Sequence, residues 1–395
     1  MLSRQLEPKA SELLEKFPLL AITGPRQSGK TTLAKKLRPD YEYINLELEE
    51  NSDFARNDPH GFLTAHQGGV ILDEVQYVPT LFPYLKHYTD LRGRPGEYIL
   101  TGSQHFLLLE KITQSLAGRV ALLQLLPFSL TELQNAGLSP ASPEAFILTG
   151  GYPRIYDKNI APSDFYPAYI RTYVERDVRQ IVNVTDLRLF RQFLTACAGR
   201  AGQIVNFLEL GNVLGIDSKT VKSWTGILEA SFIIFLLPSF YRNFDKRIVK
   251  SPKLYFYDTG LACSLLNIHS TDQLDAHFAK GALFENMVIV ELLKQYLHVA
   301  ATPAFYFWKD SNMREIDLLM EEGAKLKAVE IKAGKTINPA FLKNLHAFQN
   351  TAGAEHVELF LVYGGDVAQP RSDLKILPWN QTGDITSAPD MWFGR

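Results

Sequence analysis

A phosphate-binding loop is the clearest chemical pattern in the sequence. The octapeptide GPRQSGKT, Gly24 to Thr31, matches G-x-x-x-x-G-K-[ST] at every specified position. It follows the apolar run Leu19 to Ile22 and precedes a stretch with helical character, as such a loop requires. Glycines let the backbone N–H groups point inward, and the N-terminus of the following helix adds partial positive charge. The pattern predicts ATP binding.

Individual loop residues have separate expected tasks. Lys30 would reach the β- and γ-phosphates of ATP, and the Thr31 hydroxyl would ligate Mg²⁺. The predicted nucleotide-binding residues are Gly24, Pro25, Arg26, Gln27, Ser28, Gly29, Lys30, Thr31 and Thr32.

An acidic pair follows the loop at the end of a second apolar run. Val70, Ile71 and Leu72 precede Asp73 and Glu74, as expected of a buried parallel strand whose carboxyl end carries chemistry. Asp73 would hold Mg²⁺ through water, and Glu74 would orient or deprotonate the attacking water. Such a pair alone is also compatible with a simple strand end. Its position after the loop predicts hydrolysis as well as binding.

Two further segments offer accessory groups. A short apolar strand in Glu97 to Gln104 would bring Thr101 or Ser103 beside the loop, where a hydroxyl would sense the γ-phosphate or position water. Alternatively, the hydroxyl of Thr101 or Ser103 only forms a hydrogen bond within its own turn. Arg119 follows a helix-like segment, Leu107 to Leu116, and would project into the ATP site of a neighbouring subunit. A solvated or salt-bridged arginine is the alternative.

Carboxylates and a lysine form a second chemical pattern in the last third of the chain. Asp317 lies on one predicted strand, and Glu330 and Lys332 lie on the returning strand. Asp317 and Glu330 would bind Mg²⁺, with Lys332 positioned to orient or activate a water. Glu285, on the predicted helix Leu283 to Leu297, would complete the site. Charges that merely alternate along exposed strands are the alternative.

A helix-turn-helix is predicted in the middle of the chain. Leu208 to Leu214 would form the first helix, Ser218 to Ala230 the second with Ser218 as its N-cap, and Phe232 to Leu237 a wing strand. Phe165 to Tyr255 contains 13 Lys and Arg against 7 Asp and Glu, in a chain of net charge −2. This local excess of positive charge favours contact with the phosphate backbone of DNA. The alternatives are a lid, a protein-docking module, or charges that are simply solvated. The predicted DNA contacts are Lys219, Lys222, Arg242, Lys246, Arg247 and Lys250.

Length and composition limit the class of protein and the number of domains. The 395 residues suggest two or three domains, and 46% hydrophobic with 21% charged residues is typical of a soluble globular protein. The two cysteines are too few for a disulfide framework or a metal knuckle. We find neither a signal-peptide core nor an apolar run near the roughly 20 residues of a membrane span. We therefore expect a cytoplasmic protein without a membrane segment, divided into domains 1–150, 151–260 and 261–395.

Several motifs together resemble AAA+ superfamily ATPases of the type that pairs a P-loop module with a poorly characterised C-terminal domain. The resemblance covers nearly the whole chain. It rests on GPRQSGKT, ILDEVQ, LTGSQ, LAGR, PFSLTEL, TGGYPR, YVERDV, SPKLYFYDTGLACSLL and GALFEN. Ser103 and Gln104 lie near the sensor position, where the commonest pattern has asparagine.

The carboxylate pattern resembles the PD-(D/E)XK nuclease superfamily, whose core has Glu on a helix, Asp on a strand and Glu-x-Lys on the next strand. The resemblance assigns these positions to Glu285, Asp317, Glu330 and Lys332. It implies a restriction-endonuclease-like fold. Either DNA cleavage or a docking surface is compatible with that fold.

The sequence therefore predicts an α/β protein with an N-terminal P-loop parallel sheet of the AAA+ type, a helical lid plus winged helix, and a C-terminal restriction-endonuclease-like α/β domain. ATP and Mg²⁺ are the expected cofactors. The first functional hypothesis is ATP-driven action on DNA. The alternative is a nucleotide-dependent switch that docks a protein partner, with a catalytically silent C-terminal domain. A homo-oligomer is compatible with both, and Asp73 and Glu74 argue against a scaffold without turnover.

Overall fold

The computed structural model describes residues 2–103, 115–174, 186–240, 251–353 and 356–386. Backbone contacts group the chain into two units. The first comprises Met1–Phe128, Ala230–Phe232 and Leu297–Ala301, and the second comprises Ser129–Glu229, Ile233–Tyr296 and Thr302–Arg395. The division into three domains stays a prediction. Four predicted DNA contacts lie outside the described residues, as does most of the predicted helix at 107–116. They are Arg242, Lys246, Arg247 and Lys250.

A parallel sheet forms the centre of the first unit. Its strands are β1 (Leu19–Thr23), β2 (Glu42–Asn45), β3 (Val70–Asp73), β4 (Tyr98–Gly102) and β5 (Val120–Gln124). Their order is β2-β3-β4-β1-β5, and each neighbouring pair is parallel. The near-continuous apolar strands are explained by burial of both faces. The predicted N-terminal parallel sheet is confirmed.

Helices cover both faces of this sheet. They are α1 (Glu7–Leu14), α2 (Lys30–Leu37), α3 (Glu49–Asn57), α4 (Pro59–Ala65) and α5 (Phe82–Arg92), with 3₁₀ turns at Val75–Tyr77 and Pro79–Leu81. Leu20 and Ile22 of β1 pack in one core cluster with residues of α1 and α2. Leu19 and Ala21 point to the opposite cluster, which contains residues of α3, α4 and α5.

The second unit begins with a helical region. Its helices are α6 (Leu130–Asn135), α7 (Pro143–Thr149), α8 (Pro153–Lys158), α9 (Pro162–Tyr169), α10 (Leu187–Ala198), α11 (Phe207–Leu214), α12 (Ser218–Ala230), α13 (Thr259–Leu265), α14 (Thr271–Ala276) and α15 (Lys280–His298). Helix α9 passes directly into a π-helical segment at Ile170–Val174. Residues 175–185 lie outside the described part of the chain.

The bounds predicted for α12 agree with the structure, but the predicted Ser218 N-cap is wrong. The Asp217 carboxylate instead accepts hydrogen bonds from the backbone N–H groups of Lys219 at 2.8 Å and Thr220 at 2.9 Å. Ser218 is already the first helical residue. An aspartate one position earlier therefore satisfies the donors at the helix start.

The remaining strands lie in the second unit. Strands β6 (Ile234–Leu237) and β7 (Lys253–Phe256) form an antiparallel pair. The C-terminal sheet contains β8 (Phe305–Lys309), β9 (Glu315–Glu322), β10 (Lys325–Lys332), β11 (Val357–Tyr363), β12 (Gln369–Pro370) and β13 (Lys375–Pro378), in the order β12-β13-β11-β10-β9-β8. A 3₁₀ turn (Pro339–Leu342) and helix α16 (Lys343–Ala352) connect the parallel strands β10 and β11. A last 3₁₀ turn occupies Thr382–Ile385. The predicted order of α/β sheet, helical region and second α/β part is confirmed.

Among the residues that the structure describes, no helix combines the length and apolar content needed to cross a bilayer.

Candidate functional site

The phosphate-binding loop joins β1 to α2. Gly24, Gln27 and Gly29 have φ angles of 148°, 62° and 96°, so the chain turns sharply between strand and helix. A Cβ atom at Gly24 would lie 2.2 Å from the carbonyl oxygen of Leu125, just beyond β5. Glycine is therefore required at this position by close packing as well as by its backbone angle.

Polar side chains of the loop point into its interior. Lys30 is 5% exposed, and its Nζ donates to the carbonyl oxygens of Gly24 at 3.0 Å and Pro25 at 2.8 Å. The buried Ser28 Oγ has no hydrogen-bond partner among the described residues. A buried ammonium group beside a buried hydroxyl that has no partner among the described residues fits a polyanion such as the triphosphate of ATP.

Asp73, at the end of β3, is the centre of a hydroxyl cluster. Thr31 Oγ1 lies 3.1 Å from Asp73 Oδ1 and 3.0 Å from Oδ2, and Tyr43 Oη donates to Oδ2 at 2.7 Å. Thr101 Oγ1 also donates to Oδ1. Burial, together with the hydrogen bond to Asp73, raises the pKa of Tyr43, so its hydroxyl stays protonated and remains a donor. The Thr31 and Asp73 oxygens form the hard donor set that Mg²⁺ prefers.

Glu74 follows in a left-handed backbone conformation with φ of 57°. Its carboxylate accepts hydrogen bonds from Gln76 Nε2 and, at 3.2 Å, from Ser103 Oγ. Strand β4 lies between β1 and β3, so its end brings Ser103 to the same edge of the sheet as the loop and the acidic pair. Glu74 is thus held by neighbours on both sides.

Arg4 braces the loop from the N-terminal segment. Its Nη1 donates to the Ser28 carbonyl oxygen at 2.8 Å, and its Nη2 donates to the Leu126 carbonyl oxygen at 2.6 Å. The guanidinium carbon also lies 4.8 Å from the centre of the Phe128 ring. Arg4 therefore connects the loop to the segment that follows β5.

Sequence reasoning missed Arg4, Tyr43 and Gln76. No motif includes Arg4. Tyr43 lies on β2, which pairs in parallel with β3, and this pairing brings its hydroxyl to Asp73. Gln76 was visible as the second residue after Glu74, but its side-chain direction was not.

Arg119 lies at the opposite edge of the sheet from the phosphate-binding loop of its own chain. Its carbonyl oxygen accepts from Leu19 N at the start of β1, and its guanidinium binds both carboxylate oxygens of Asp90. The hydrogen bonds from Arg119 lower the pKa of Asp90. Arg119 is therefore not placed to act on ATP bound by its own chain. Its role as an arginine finger in the ATP site of a neighbouring subunit stays a prediction.

The four residues of the second chemical pattern come together, and we call them the carboxylate site. Lys332 Nζ lies 3.1 Å from Asp317 Oδ2 and 2.7 Å from Glu330 Oε1. Asp317 Oδ2 also accepts from the backbone N–H of Ile331 at 2.8 Å. Burial and the charge of Asp317 raise the pKa of Glu285 to about 7 and that of Glu330 to about 8.

Two residues of β7, missed by sequence reasoning, extend this site. Lys253 Nζ lies 3.1 Å from Glu285 Oε1 and 2.6 Å from Glu315 Oε1. Tyr255 Oη donates to Glu285 Oε1. Burial lowers the pKa of Lys253, but Glu285, Asp317 and Glu315 outweigh this effect and raise it overall, so the ammonium stays charged. Nothing in the local pattern of β7 indicated partners that lie some thirty to sixty residues downstream.

The carboxylate site does not fit the predicted divalent cation as folded. Across the described ranges, no group of three or more His, Cys, Asp and Glu side chains is arranged to hold a metal ion. Lys332 bridges Asp317 and Glu330, and Lys253 bridges Glu285 and Glu315. The carboxylates therefore already have cationic partners.

Helices α11 and α12 present the predicted DNA-contact face. Gly215, with φ of 70°, ends α11. Val221 and Trp224 on α12 are buried, whereas Lys219 and Lys222 are exposed on its outer side. The arrangement leaves two cations available on one face of the second helix.

The comparisons with known proteins agree with the geometry of the first unit. Residues 16–134 match the family model of an AAA domain. The predicted AAA-type module is therefore confirmed. Two later stretches match families that are each described as a domain of unknown function: DUF8612 at residues 141–272 and DUF4143 at residues 280–382.

Relatives extend beyond the AAA domain. An uncharacterized protein of Mycobacterium tuberculosis is 29% identical over 373 residues, which cover 94% of this chain and 82% of the relative. Among solved structures, a Walker-type ATPase of Pyrococcus abyssi is 18% identical with a TM-score of 0.43, over 67% of this chain and 96% of its own. A RuvB variant of Thermotoga maritima is 16% identical with a TM-score of 0.34, over 60% of this chain and 90% of its own.

Proposed function

We propose that the chain binds ATP with Mg²⁺ and hydrolyses ATP. The observation that carries this proposal is the meeting of Thr31, Asp73, Glu74 and Ser103 at one edge of the sheet. Thr31 and Asp73 would hold Mg²⁺, which supplies charge neutralisation at the phosphate oxygens when bound. Lys30 would neutralise the β- and γ-phosphates after exchanging its loop carbonyl contacts for phosphate oxygens.

Glu74 acts on the attacking water in this proposal. The water oxygen bonds to the γ-phosphorus while the bond from phosphorus to the β–γ bridging oxygen breaks, and the Glu74 carboxylate orients the water or takes its proton. ADP and phosphate leave. Gln76 and Ser103 hold the carboxylate in position through the hydrogen bonds described above.

Glu74→Gln tests this role. The variant should bind ATP as wild type does but lose turnover by about 10²–10⁴-fold, the usual contribution of a general base. Glu50→Gln, in the exposed first turn of α3, is the matched control and should retain turnover. Nucleotide affinity and steady-state ATPase rate measure the two properties separately. Unchanged turnover in Glu74→Gln would refute the assignment.

We further propose that ATP turnover serves an action on DNA. The proposal is supported by exposed Lys219 and Lys222 on α12, and by a helix, turn, helix and antiparallel strand pair in the order expected of a winged helix. Duplex DNA at low salt should then raise the ATPase rate. An ATPase rate that is insensitive to DNA, together with no DNA binding at low salt, would eliminate this part of the proposal.

A protein-docking switch is the second candidate. Leu208 and Val213 on α11 are 64% and 65% exposed, so this short helix offers apolar side chains to a protein partner. Paired lysines at the carboxylate site also favour a catalytically silent C-terminal part. The nuclease-like interpretation stays a proposal, supported by the meeting of Asp317, Glu330 and Lys332.

A further inference from the structure

Lys253 occupies an unusual position for a lysine. It is 3% exposed and lies on β7, outside the C-terminal sheet that carries Asp317 and Glu330. Its ammonium contacts Glu285 on α15 and Glu315 on β9, so it connects a helix and a strand through charge. A buried ammonium is costly unless carboxylates compensate it, and here two do so directly.

Formal charges show what a second cation would encounter. Four carboxylates in this region contact three ammonium groups. The carboxylates are Glu285, Glu315, Asp317 and Glu330, and the ammonium groups are Lys253, Lys309 and Lys332. A divalent cation at Glu285 would lie beside the Lys253 ammonium, which is 3.1 Å from Glu285 Oε1, and the two cations would repel each other in a poorly solvated region. Loss of Lys253 would remove that repulsion, whereas Lys309 contacts Glu315 and not Glu285.

We propose that Lys253 is the resident cation of the carboxylate site and prevents a divalent metal ion from binding at Glu285. Its ammonium provides to Glu285 the positive charge that a metal would otherwise provide. The site is therefore closed to metal as long as β7 stays in its observed register with β6, which pairs Lys253 with Leu237. The inference concerns the second unit alone and does not depend on ATP hydrolysis or DNA contact.

Lys253→Met should convert the site into a metal-binding one. Methionine keeps most of the length and apolar volume of the lysine while removing the charge. We expect the full-length variant to bind Mn²⁺ at least about tenfold more tightly than wild type, equivalent to about 1.4 kcal/mol. Calorimetric titration with MnCl₂, without nucleotide, measures the affinity.

Matched variants assign the effect to this position. Lys309→Met removes a more exposed lysine that contacts Glu315 alone among these carboxylates, at 3.0 Å, and should bind Mn²⁺ as wild type does. Lys253→Arg keeps the charge and should also remain unchanged. Glu285→Gln added to Lys253→Met should abolish the gain. Equal Mn²⁺ affinity of Lys253→Met and wild type would overturn the proposal.

A wild-type comparison keeps the test decisive if Lys253→Met does not fold, as judged by circular dichroism. Wild type and Glu285→Gln should then bind Mn²⁺ equally, because Glu285 is already paired with Lys253. Weaker binding by Glu285→Gln would mean that the wild-type site takes metal through Glu285, and the proposal would be wrong.

Discussion

Replacement of Arg4 by methionine should weaken both the first unit and its nucleotide site. Arg4 is 7% exposed and donates to two backbone carbonyl oxygens, those of Ser28 and Leu126. A hydrogen bond that involves a charged group contributes about 1.5–3 kcal/mol to stability. Methionine fills similar apolar space but donates to neither oxygen. With allowance for non-additivity, we expect a loss of about 3 kcal/mol in the free energy of unfolding.

Two assays separate the consequences of this change. Thermal unfolding should show a decrease in Tm of about 10 °C, since 1 kcal/mol corresponds to roughly 3–5 °C for a unit of this size. Titration with ATP should show a higher Kd, because the Ser28 backbone lies within the loop that Arg4 braces. Arg4→Lys keeps the charge but lacks the fork that reaches two carbonyl groups, so its effect should be intermediate.

Lys16→Met is the matched control for Arg4. Lys16 follows α1, its side chain is 60% exposed, and it pairs with Glu12 on the surface. Its loss should change the free energy of unfolding by less than about 1 kcal/mol. If Arg4→Met unfolds at the wild-type temperature and binds ATP with unchanged affinity, the bracing role derived from the hydrogen bonds is incorrect.

Two further predictions concern the second unit. Lys219→Ala/Lys222→Ala should weaken DNA binding and reduce the slope of log affinity against log salt by about 2, since each phosphate contact contributes roughly 0.9. The control Lys16→Ala/Lys158→Ala should leave that slope unchanged. If a titration from low to moderate salt gives the two double variants equal slopes, Lys219 and Lys222 do not contact DNA. Burial and the charge of Asp317 raise the pKa of Glu330 to about 8. Between about pH 5 and about pH 8 the folded chain therefore keeps a proton on Glu330, whereas the unfolded chain has released it at the ordinary pKa of a glutamate. The free energy of unfolding should consequently fall over this pH range. Glu330→Gln should reduce that fall in urea unfolding, and an identical pH dependence would show that Glu330 does not cause it.

The sequence was most informative where local chain order determines geometry. The P-loop motif and the Asp73–Glu74 pair each follow an apolar strand, and parallel strands bring their carboxyl ends to one edge. The hairpin that carries Asp317 and Glu330 was also visible, because its apolar and charged residues alternate around a turn.

Long-range pairing explains most of what sequence reasoning missed. Arg4 binds a carbonyl group 122 residues away, and Lys253 binds Glu285 from a strand 32 residues earlier. No periodicity of the local segment records such partners. The predicted Ser218 cap failed for a different reason, since Asp217 is a competing acceptor one residue earlier. Local rules therefore identified the candidate groups, but tertiary contacts determined which groups are paired.

The backbone of Glu74 has a consequence for how this position can vary. A non-glycine residue with φ of 57° occupies a region that asparagine or glycine enters more easily. Selection for stability alone would therefore disfavour glutamate here. At the end of β3, Ser103 and Gln76 hold its carboxylate, which agrees with the role in turnover proposed above. In laboratory evolution for thermal stability, substitutions of Glu74 by asparagine or glycine should consequently raise the stability and lower the ATPase rate.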